Sequence, residues 1–408
     1  MDTPALSRVV CQRVLFVMPS LNGGGAERAA ILLAGALPSS DWKPTIYVFN
    51  RSGAYASMLP AGLEVVSGDS GSGRLRRIAA LAAYVKRSRP AVVVSLLSPI
   101  TTYLAMILAG STARFAISQQ TPLSRVIDDA DCERVGSHNR RLVRIAVRAV
   151  YNRAHVVIAP SHGVADDLAV NFHVKPHRIC VIPNPVDLLG ISKDAQREVG
   201  PLRRNRQERL IVTAGRLVEQ KNLSLLIRTI AVLRPRLPIR ALILGAGPQD
   251  RQLRALAAGL GVSGSIDFLG FCSNPWQYFA ASDLFVLCSK YEGFGNVIVE
   301  AMACGLPVVM TKCESSADIL GDTDAGIIVE KHEPEALAGA IEMALADEER
   351  RQYMSSCARA RARDFDVAMI ARRIGAAIAQ GRGVDVDSPR PGMAGAESLS
   401  DRRPARGV

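Results

Sequence analysis

Short apolar runs of strand length alternate along this chain with longer segments in which apolar residues recur every three or four positions. The first run, Val14 to Met18, precedes a helical pattern from Ala29 to Leu37, and the same succession repeats to the end of the apolar pattern. Buried parallel strands form continuous apolar runs and are joined by crossover helices, so this alternation predicts doubly wound parallel α/β sheets. The predicted strands cover residues 14–19, 45–49, 63–66, 91–97, 114–117, 155–160, 178–182, 210–214, 240–244, 266–269, 284–287, 308–310 and 326–329.

The segments between these runs carry the apolar spacing of helices. The predicted helices cover residues 29–37, 75–85, 100–109, 163–171, 253–260, 297–304, 333–346, 347–363 and 366–380, and one long helix ends near Asn152. Residues 91–113 carry no charge and have the length of a membrane span, but Pro99 and the hydroxyl residues beside it divide them. We therefore expect a strand and a buried helix there.

A chain of 408 residues exceeds one ordinary core, which favours two domains. A proline-rich break at 182–187 is followed by a polar, Arg-rich stretch, 188–207, that resembles a linker. We expect a first domain at 1–187, a second at 188–365 and a terminal helix at 366–381. Residues 382–408 lack periodicity and are rich in Pro, Gly, Ser, Arg and Asp, which predicts a disordered tail.

The net charge of +12 and the pI near 9.6 indicate attraction to polyanions. Aromatic residues make up only 5% and no nucleic-acid-binding motif is present, so an anionic membrane is favoured over nucleic acid. Two predicted helices carry basic faces that are either solvated or in contact with anionic lipid. Their cations are Arg74, Arg76, Arg77, Lys86, Arg87 and Arg89 in one, and Arg140, Arg141, Arg144 and Arg148 in the other.

The apolar run Val14 to Met18 is too short for a secretory signal. The eight cysteines form no C-x-x-C pair, and several lie inside apolar runs, which is typical of reduced, buried thiols. These features predict a cytoplasmic protein, with peripheral contact to the inner face of the cell membrane as the alternative that its basic helices suggest.

The most informative stretch runs from the strand at 284–287, through a loop and a helix, to the strand at 308–310. Its loop places Gly293 and Gly295 ahead of a helix N-terminus, where free N–H groups attract anions. Glu292 precedes this helix and Glu300 lies on its second turn. Carboxylates accept hydrogen bonds from vicinal hydroxyls, so the stretch suits a ligand with both hydroxyl and phosphate groups. Two ordinary surface glutamates remain the alternative.

Two further segments have a similar character. Arg216 and Lys221 flank a helix start after the strand at 210–214, which suits a phosphate clamp. Near the N-terminus, three consecutive glycines at 23–25 and Glu27 follow the first strand, but the G-x-G-x-x-G spacing of a dinucleotide site is absent. A plain glycine turn and two surface bases are the alternatives at these places.

In this order, the segments G-G-G-A-E, G-R-L-x3-K-N and E-G-F-G-N-x3-E-A-M-A-x-G-x-P-V-V closely resemble the motifs of retaining glycosyltransferases of family 4. The resemblance covers nearly the whole folded chain. It implies the GT-B fold, two Rossmann-like domains facing each other across a cleft, with the terminal helix crossing back to the first. It also implies sugar transfer from a nucleoside diphosphate-sugar, with retention at the anomeric carbon and without a metal or other cofactor.

The family's roles transfer only to matching positions. By resemblance, Arg216 and Lys221 hold the diphosphate, Glu292 orients the transferred sugar, and Glu300 binds the donor ribose. The remaining donor-binding positions implied in this way are Gly24, Gly25, Gly270, Phe271, Gly293, Phe294, Gly295, Asn296 and Val297. The histidine or Arg-Asn pair that many members place near residue 119 is missing, and Gln119 and Gln120 are candidates to contact a sugar hydroxyl there.

We expect a hexosyl- or N-acetylhexosaminyl-transferase that uses a UDP-sugar in preference to a GDP-sugar. The expected acceptor is a glycan or a polyprenyl-linked lipid in cell-surface polysaccharide or glycolipid synthesis. Two alternatives share the fold: a catalytically inactive nucleotide-sugar-binding protein and a sugar-nucleotide epimerase. A nucleic-acid binder, recognisable by retention at moderate salt, is a further alternative.

Overall fold

A computed structural model describes residues 11–22, 24–57, 59–68, 73–128, 140–197 and 208–381. Its first half contains a parallel sheet of seven strands in the order β3-β2-β1-β4-β5-β6-β7. The chain adds strands on one side of β1 as far as β3 and then, from β4 onward, on the other side. The single switch point between β1 and β4 is typical of doubly wound folds. The strands are β1 (Gln12–Ser20), β2 (Trp42–Asn50), β3 (Glu64–Ser67), β4 (Val92–Leu96), β5 (Arg114–Ser118), β6 (Val156–Ala159) and β7 (Ile179–Val181).

The second half contains a parallel sheet of six strands in the order β10-β9-β8-β11-β12-β13. It reverses direction between β8 and β11, so each half has its own switch point. The strands are β8 (Arg209–Ala214), β9 (Ile239–Leu244), β10 (Ile266–Gly270), β11 (Leu284–Leu287), β12 (Val308–Thr311) and β13 (Gly326–Val329).

Helices cover both faces of each sheet, so the strands are buried on both sides and need continuous apolar sequence. The helices are α1 (Gly25–Ala36), α2 (Arg74–Ser88), α3 (Pro99–Leu108), α4 (Leu123–Asp128), α5 (Arg140–Tyr151), α6 (His162–Phe172), α7 (Leu188–Ala195), α8 (Leu223–Leu233), α9 (Asp250–Gly259), α10 (Trp276–Ala280), α11 (Asn296–Ala303), α12 (Ser316–Leu320), α13 (Pro334–Leu345), α14 (Glu348–Ala362) and α15 (Val367–Gln380).

All thirteen strands in the described residues coincide with predicted apolar runs. The uncharged stretch 91–113 forms β4 and α3, as expected, and no helix in the described ranges is both long and apolar enough to span a membrane. Around residue 140, the structure describes α4 and α5 where one long helix is predicted, and the residues between them lie outside the described ranges.

The prediction of a linker over 188–207 is wrong at its start, because residues 188–195 form α7. The Asp187 side chain caps this helix by accepting a hydrogen bond of 2.9 Å from the Gly190 N–H. Ile191 is buried in the core of the second half, so a short apolar stripe outweighs the polar composition. The five-residue helices α10 and α12 are too short to show a helical period in sequence.

Helix α15 belongs to the second half by sequence but packs on the first. Its buried residues Ile370, Ile374 and Ile378 lie in the same apolar cluster as Trp42 of β2. The guanidinium of Arg114, at the start of β5, donates to the Ala379 carbonyl at the end of the helix. This contact ties the last described helix to the first sheet. The predicted tail, 382–408, lies outside the described residues.

Cys180 and Cys288 are buried, as the sequence indicates, and burial raises the pKa of the Cys288 thiol to about 12. Cys11 is exposed, which the prediction of buried thiols did not foresee. Cys132 lies outside the described residues. None of the cysteines in the described ranges forms a disulfide.

Replacing Ile370 by alanine should lower the free energy of unfolding by about 2–5 kcal/mol, because it leaves a cavity between α15 and the first sheet. Urea denaturation followed by circular dichroism measures this loss. The neighbouring variant Met369→Ala, at a half-exposed position of the same helix, should stay within about 0.5 kcal/mol of wild type. Equal losses in the two variants would contradict the packing of α15.

Candidate active site

The carboxyl ends of the two sheets meet at the loop that follows β11. Gly293 lies so close to the first half that a Cβ atom on it would stand 1.9 Å from the Gln120 carbonyl oxygen. Ser161, just after β6, donates a hydrogen bond of 2.7 Å to the Gly293 carbonyl. Glycine is therefore required here by a close approach of two backbones, and the contact forms the floor of the cleft between the halves.

Lys221 and Glu292 form an ion pair on the second half's side of the cleft. The Ser289 hydroxyl donates a hydrogen bond of 2.6 Å to the same carboxylate oxygen, Oε1 of Glu292. Glu292 is only 6% exposed, so its charge is compensated by the ammonium and fixed in direction by the hydroxyl. The pair presents a cation and an oriented carboxylate side by side.

Arg216 lies after β8 with an exposed side chain that faces Glu27 on the first turn of α1. Burial raises the pKa of the Glu27 carboxyl, while a hydrogen bond from its own backbone N–H and the charge of Arg216 act in the opposite direction. Within the described residues, no hydrogen bond or ion pair fixes the Arg216 guanidinium, so its donors remain available at the cleft.

Glu300 receives two contacts that sequence reasoning missed. Arg28, the residue after Glu27 on α1, forms an ion pair with it at 3.4 Å, and the indole N–H of Trp276 donates to its other oxygen at 3.2 Å. The Arg28 guanidinium also stacks over the Trp276 ring, 4.5 Å from its centroid. Since Glu300 is 8% exposed, its carboxylate is held by a cation from the opposite half.

Four amide and carbonyl groups link the two halves in a chain of hydrogen bonds. Asn184, after β7, donates to Gln120 at 2.8 Å and to Asn296 at 2.9 Å. Asn296, at the first position of α11, donates in turn to the Gly25 carbonyl at 2.9 Å. The glycine loop after β1 therefore lies directly against the N-terminus of α11, as the proposed donor roles of Gly25 and Asn296 require.

Gln119 and Gln120 were candidates for a sugar contact, but both side-chain amides form hydrogen bonds with other groups of the protein. Gln119 donates to the Thr121 carbonyl at 2.7 Å and accepts from the Tyr151 hydroxyl at 2.6 Å. Gln120 donates to the Ser118 hydroxyl at 2.8 Å and accepts from Asn184. Their amides shape the cleft wall, and a sugar would have to compete with these bonds to reach them.

The other predicted donor-binding positions differ in what they offer. The Phe294 ring is buried against Phe365, at 5.4 Å between centroids, so only its backbone is available to a ligand. Gly295 caps α11 with a φ of 73°, and Gly270 has a φ of 72° at the end of β10, both in the left-handed region. Phe271 is exposed and Val297 is partly buried. Gly24 precedes α1 as its N-cap.

Among the described residues, no three His, Cys, Asp or Glu side chains come together as a metal site would need. The cations at the cleft are Arg28, Arg216 and Lys221, all side chains of this chain. This arrangement suits an anionic ligand that is bound by fixed positive charges and by the N–H groups at the start of α11.

The site residues that the sequence motifs did not indicate carry few local signals. Arg28 directly follows the Gly-Gly-Gly-Ala-Glu segment, and Trp276 is one of only two tryptophans in the chain, so both could have been flagged. Ser289 and Asn184 acquire their roles only when two strand ends approach each other.

The variant Gly293→Ala should destabilise the protein by about 1–3 kcal/mol, because the added methyl group overlaps the Gln120 carbonyl. Thermal unfolding measures the loss. Gly264→Ala is the matched control, since a Cβ atom there meets nothing within 4 Å. A Gly293→Ala protein as stable as the control would show that the two loops are not in contact.

Two family models match successive parts of the chain. One, described as Glycosyltransferase Family 4, matches residues 23–188, and the other, described as Glycosyl transferases group 1, matches residues 194–361. The first contains the glycine loop, and the second contains Arg216, Lys221, Glu292 and Glu300. The models therefore meet at the same boundary as the two sheets.

Curated relatives include two enzymes of Campylobacter jejuni. The chain is 32% identical, over 57% of its length and 62% of the relative's, to N-acetylgalactosamine-N,N'-diacetylbacillosaminyl-diphospho-undecaprenol 4-alpha-N-acetylgalactosaminyltransferase. It is 26% identical, over 88% of its length and 96% of the relative's, to GalNAc-alpha-(1->4)-GalNAc-alpha-(1->3)-diNAcBac-PP-undecaprenol alpha-1,4-N-acetyl-D-galactosaminyltransferase. The chain spans less than two thirds of the length of the first of these relatives. The same holds for two other curated relatives.

Among solved structures, the Anabaena protein Alr3699/HepE in complex with UDP and glucose is similar over 90% of this chain and 99% of that one. The TM-score is 0.72 and the sequence identity is 25%. WaaG, a glycosyltransferase involved in lipopolysaccharide biosynthesis, gives a TM-score of 0.67 at 18% identity. The predicted GT-B fold is confirmed. Together, the fold, the two family models and these relatives support a glycosyltransferase of the GT-B fold.

Proposed function

We propose that the protein transfers a sugar from a nucleoside diphosphate-sugar to a lipid-linked or glycan acceptor. One observation carries the proposal: Lys221, Arg216, Glu292 and the N-terminus of α11 converge at the carboxyl edge of the second sheet. A donor has a doubly charged diphosphate between two groups rich in hydroxyls. This edge offers cations for the diphosphate and carboxylates on either side of them for the hydroxyls.

The Lys221–Glu292 pair suggests how the donor binds. When a phosphate oxygen takes hydrogen bonds from the Lys221 ammonium, the Glu292 carboxylate is released to accept from hydroxyls of the transferred sugar. Ser289 keeps that carboxylate pointed into the cleft throughout. Cleavage of the sugar–phosphate bond builds negative charge on the departing diphosphate, and fixed cations in a water-poor cleft stabilise this charge.

Glu300 is proposed to bind the ribose of the donor. Its carboxylate is held by Arg28 and Trp276, so ribose hydroxyls must share or replace the Arg28 contact. Arg28 then remains beside the nucleotide as a further cation from the first half. The proposed reaction retains the anomeric configuration and needs no metal ion: the acceptor oxygen bonds to the anomeric carbon on the face that the diphosphate leaves, and the acceptor proton passes to the diphosphate.

Similar proteins suggest the substrates. The Anabaena structure contains UDP and glucose, and the Campylobacter enzymes are named for the transfer of N-acetylgalactosamine to diphospho-undecaprenol glycans. We therefore favour a UDP-hexose or UDP-N-acetylhexosamine over a GDP-sugar, and a polyprenyl-linked acceptor. Such an acceptor lies in a membrane, which places the proposed site of action at the inner face of the cell membrane, with the protein bound peripherally.

Helix α5 supports peripheral binding. Arg141 and Arg148 are exposed on it, and Leu142 and Ile145 are exposed beside them. A helix that presents both arginine and large apolar side chains to the outside is typical of contact with an anionic lipid surface.

The variant Lys221→Ala should reduce sugar transfer by roughly 10²–10³ while leaving the fold intact, because a cation that stabilises the leaving group is lost. Glu300→Ala should weaken donor binding through the ribose. The assay is UDP release from UDP-glucose and UDP-N-acetylgalactosamine in the presence of bacterial lipid extract, with circular dichroism as the folding check.

Asp250→Ala is the control, because Asp250 is half-exposed at the start of α9 and, within the described ranges, its side chain pairs with Arg254 on its own helix. Its turnover should match wild type. Wild-type turnover in Lys221→Ala or Glu300→Ala would refute the assignment of the donor site.

A further inference from the structure

A second concave site lies in the first half, away from the cleft. Its cavity of about 460 Å³ has the size of a small-ligand pocket, and its wall includes Arg114, Arg153, Arg178 and His155. These residues lie at or just before the starts of β5, β6 and β7. Because the cleft lies at the opposite, carboxyl ends of the same strands, this cavity is separate from the donor site.

Main-chain carbonyls hold all three guanidinium groups, Arg114 also donates to the Gln12 side-chain amide oxygen, and no carboxylate of the described residues pairs with them. Arg153 donates to the Ala149 carbonyl at 2.9 Å, and Arg178 donates to the Ala154 carbonyl at 2.6 Å. Arg114 donates to the Ala379 carbonyl. No acidic side chain lines the cavity in the described part of the chain. Each arginine has five N–H donors, so donors remain, and their charges are not neutralised.

The pKa of His155 reflects the positive charge around the cavity. The pKa of His155 is lowered by burial first, and then by the neighbouring Arg114 and Arg178 guanidinium groups. In the described structure, the buried Nε atom of Arg178 has no hydrogen-bond partner. A concave, positive site with spare N–H donors is complementary to a phosphate group, which guanidinium binds with two parallel hydrogen bonds.

The opposite wall of the cavity is apolar and continues onto the surface. Tyr103, Met106 and Phe115 contribute to the wall. Ile107 lines the rim and is 60% exposed, and Leu108 on the same turn of α3 is 64% exposed. The carboxyl end of α2, which packs beside α3, adds the cations Lys86 and Arg87 at the same edge of the sheet. Exposed aliphatic side chains beside a positive pocket suit the boundary between headgroups and acyl chains.

We propose that this pocket binds the phosphate of an anionic phospholipid headgroup, while Ile107 and Leu108 rest in the bilayer interface. The inference deepens the proposed function, since it rests on an acceptor that is carried in a membrane. It differs from diffuse attraction by basic helices because it assigns the lipid phosphate to one pocket. Helix α3 begins after the carboxyl end of β4, at the cleft edge of the first sheet, and ends beside this pocket.

The test compares the full-length protein with the variant Arg153→Gln in co-sedimentation with two kinds of vesicle. One contains phosphatidylglycerol and phosphatidylcholine in equal amounts, and the other contains enough oleic acid in phosphatidylcholine to match its surface charge. Arg153 is exposed and makes one main-chain hydrogen bond, so the variant should fold normally. Wild type should prefer the phospholipid vesicles, and Arg153→Gln should bind them at least ~10-fold more weakly, with little change for oleate vesicles.

Arg228→Gln is the control, because it makes the same change of charge on an exposed position of α8 in the second half. It should bind both vesicles as wild type does. The proposal that the pocket binds phospholipid would be refuted if wild type bound the two vesicles equally well. It would also be refuted if Arg153→Gln and Arg228→Gln weakened vesicle binding to the same extent. In a third experiment, glycerol 1-phosphate is titrated into the protein by calorimetry. If it binds as tightly as the vesicles do, the pocket binds a soluble phosphate, and its assignment to a phospholipid is refuted.

The melting temperatures of the same proteins are also measured with and without UDP. This measurement tests the donor site in the cleft independently of the phospholipid pocket. The Arg153→Gln variant should keep the wild-type response to UDP, because the pocket and the cleft lie at opposite ends of the strands. Phospholipid selectivity without a UDP response would leave the pocket standing and refute the donor site. A UDP response without phospholipid selectivity would refute the phospholipid pocket and leave the donor site standing.

Discussion

The contact between Gly293 and the Gln120 backbone determines how the two halves of this protein face each other. Parallel strands place their loops and helix N-termini at one edge of a sheet, and each half therefore has one edge rich in free N–H groups and polar side chains. Because residue 293 has no side chain, the loops after β5 and β11 touch, and these two edges meet. Ser161 and the Asn184–Asn296 bond lie around this contact and depend on it.

The same geometry explains why the charges at the cleft are shared between the halves. Glu300 and Trp276 belong to the second half, but the cation that pairs with Glu300 comes from α1 of the first. Conversely, Arg216 of the second half faces Glu27 of α1. A donor that enters the cleft therefore exchanges contacts with both halves at once. The Lys221–Glu292 pair lies wholly within the second half.

The sequence predicted the sheets well because strands buried on both faces must be continuously apolar. Its local motifs also include Lys221, Glu292 and Glu300, which the structure places at the cleft. It missed α7, where an apolar stripe of three residues, Leu188, Ile191 and Ala195, is hidden in polar sequence. It suggested Gln119 and Gln120 as ligand contacts, although both amides are bonded within the protein. The oxygens of these two amides accept from Tyr151 and Asn184, which lie 32 and 64 residues away in sequence, so no local pattern encodes these two pairings.

We propose that fixed cations and N–H groups of this chain bind a nucleoside diphosphate in the cleft without a metal. The most direct measurement is the melting temperature of the purified protein in EDTA, alone and with UDP, GDP or ADP. A ligand that binds only the folded state raises the melting temperature by an amount that grows with the logarithm of its concentration divided by its dissociation constant. The melting temperature should rise with UDP in EDTA, because the cations of the cleft belong to the chain itself. No rise with any of the three nucleotides would contradict this proposal.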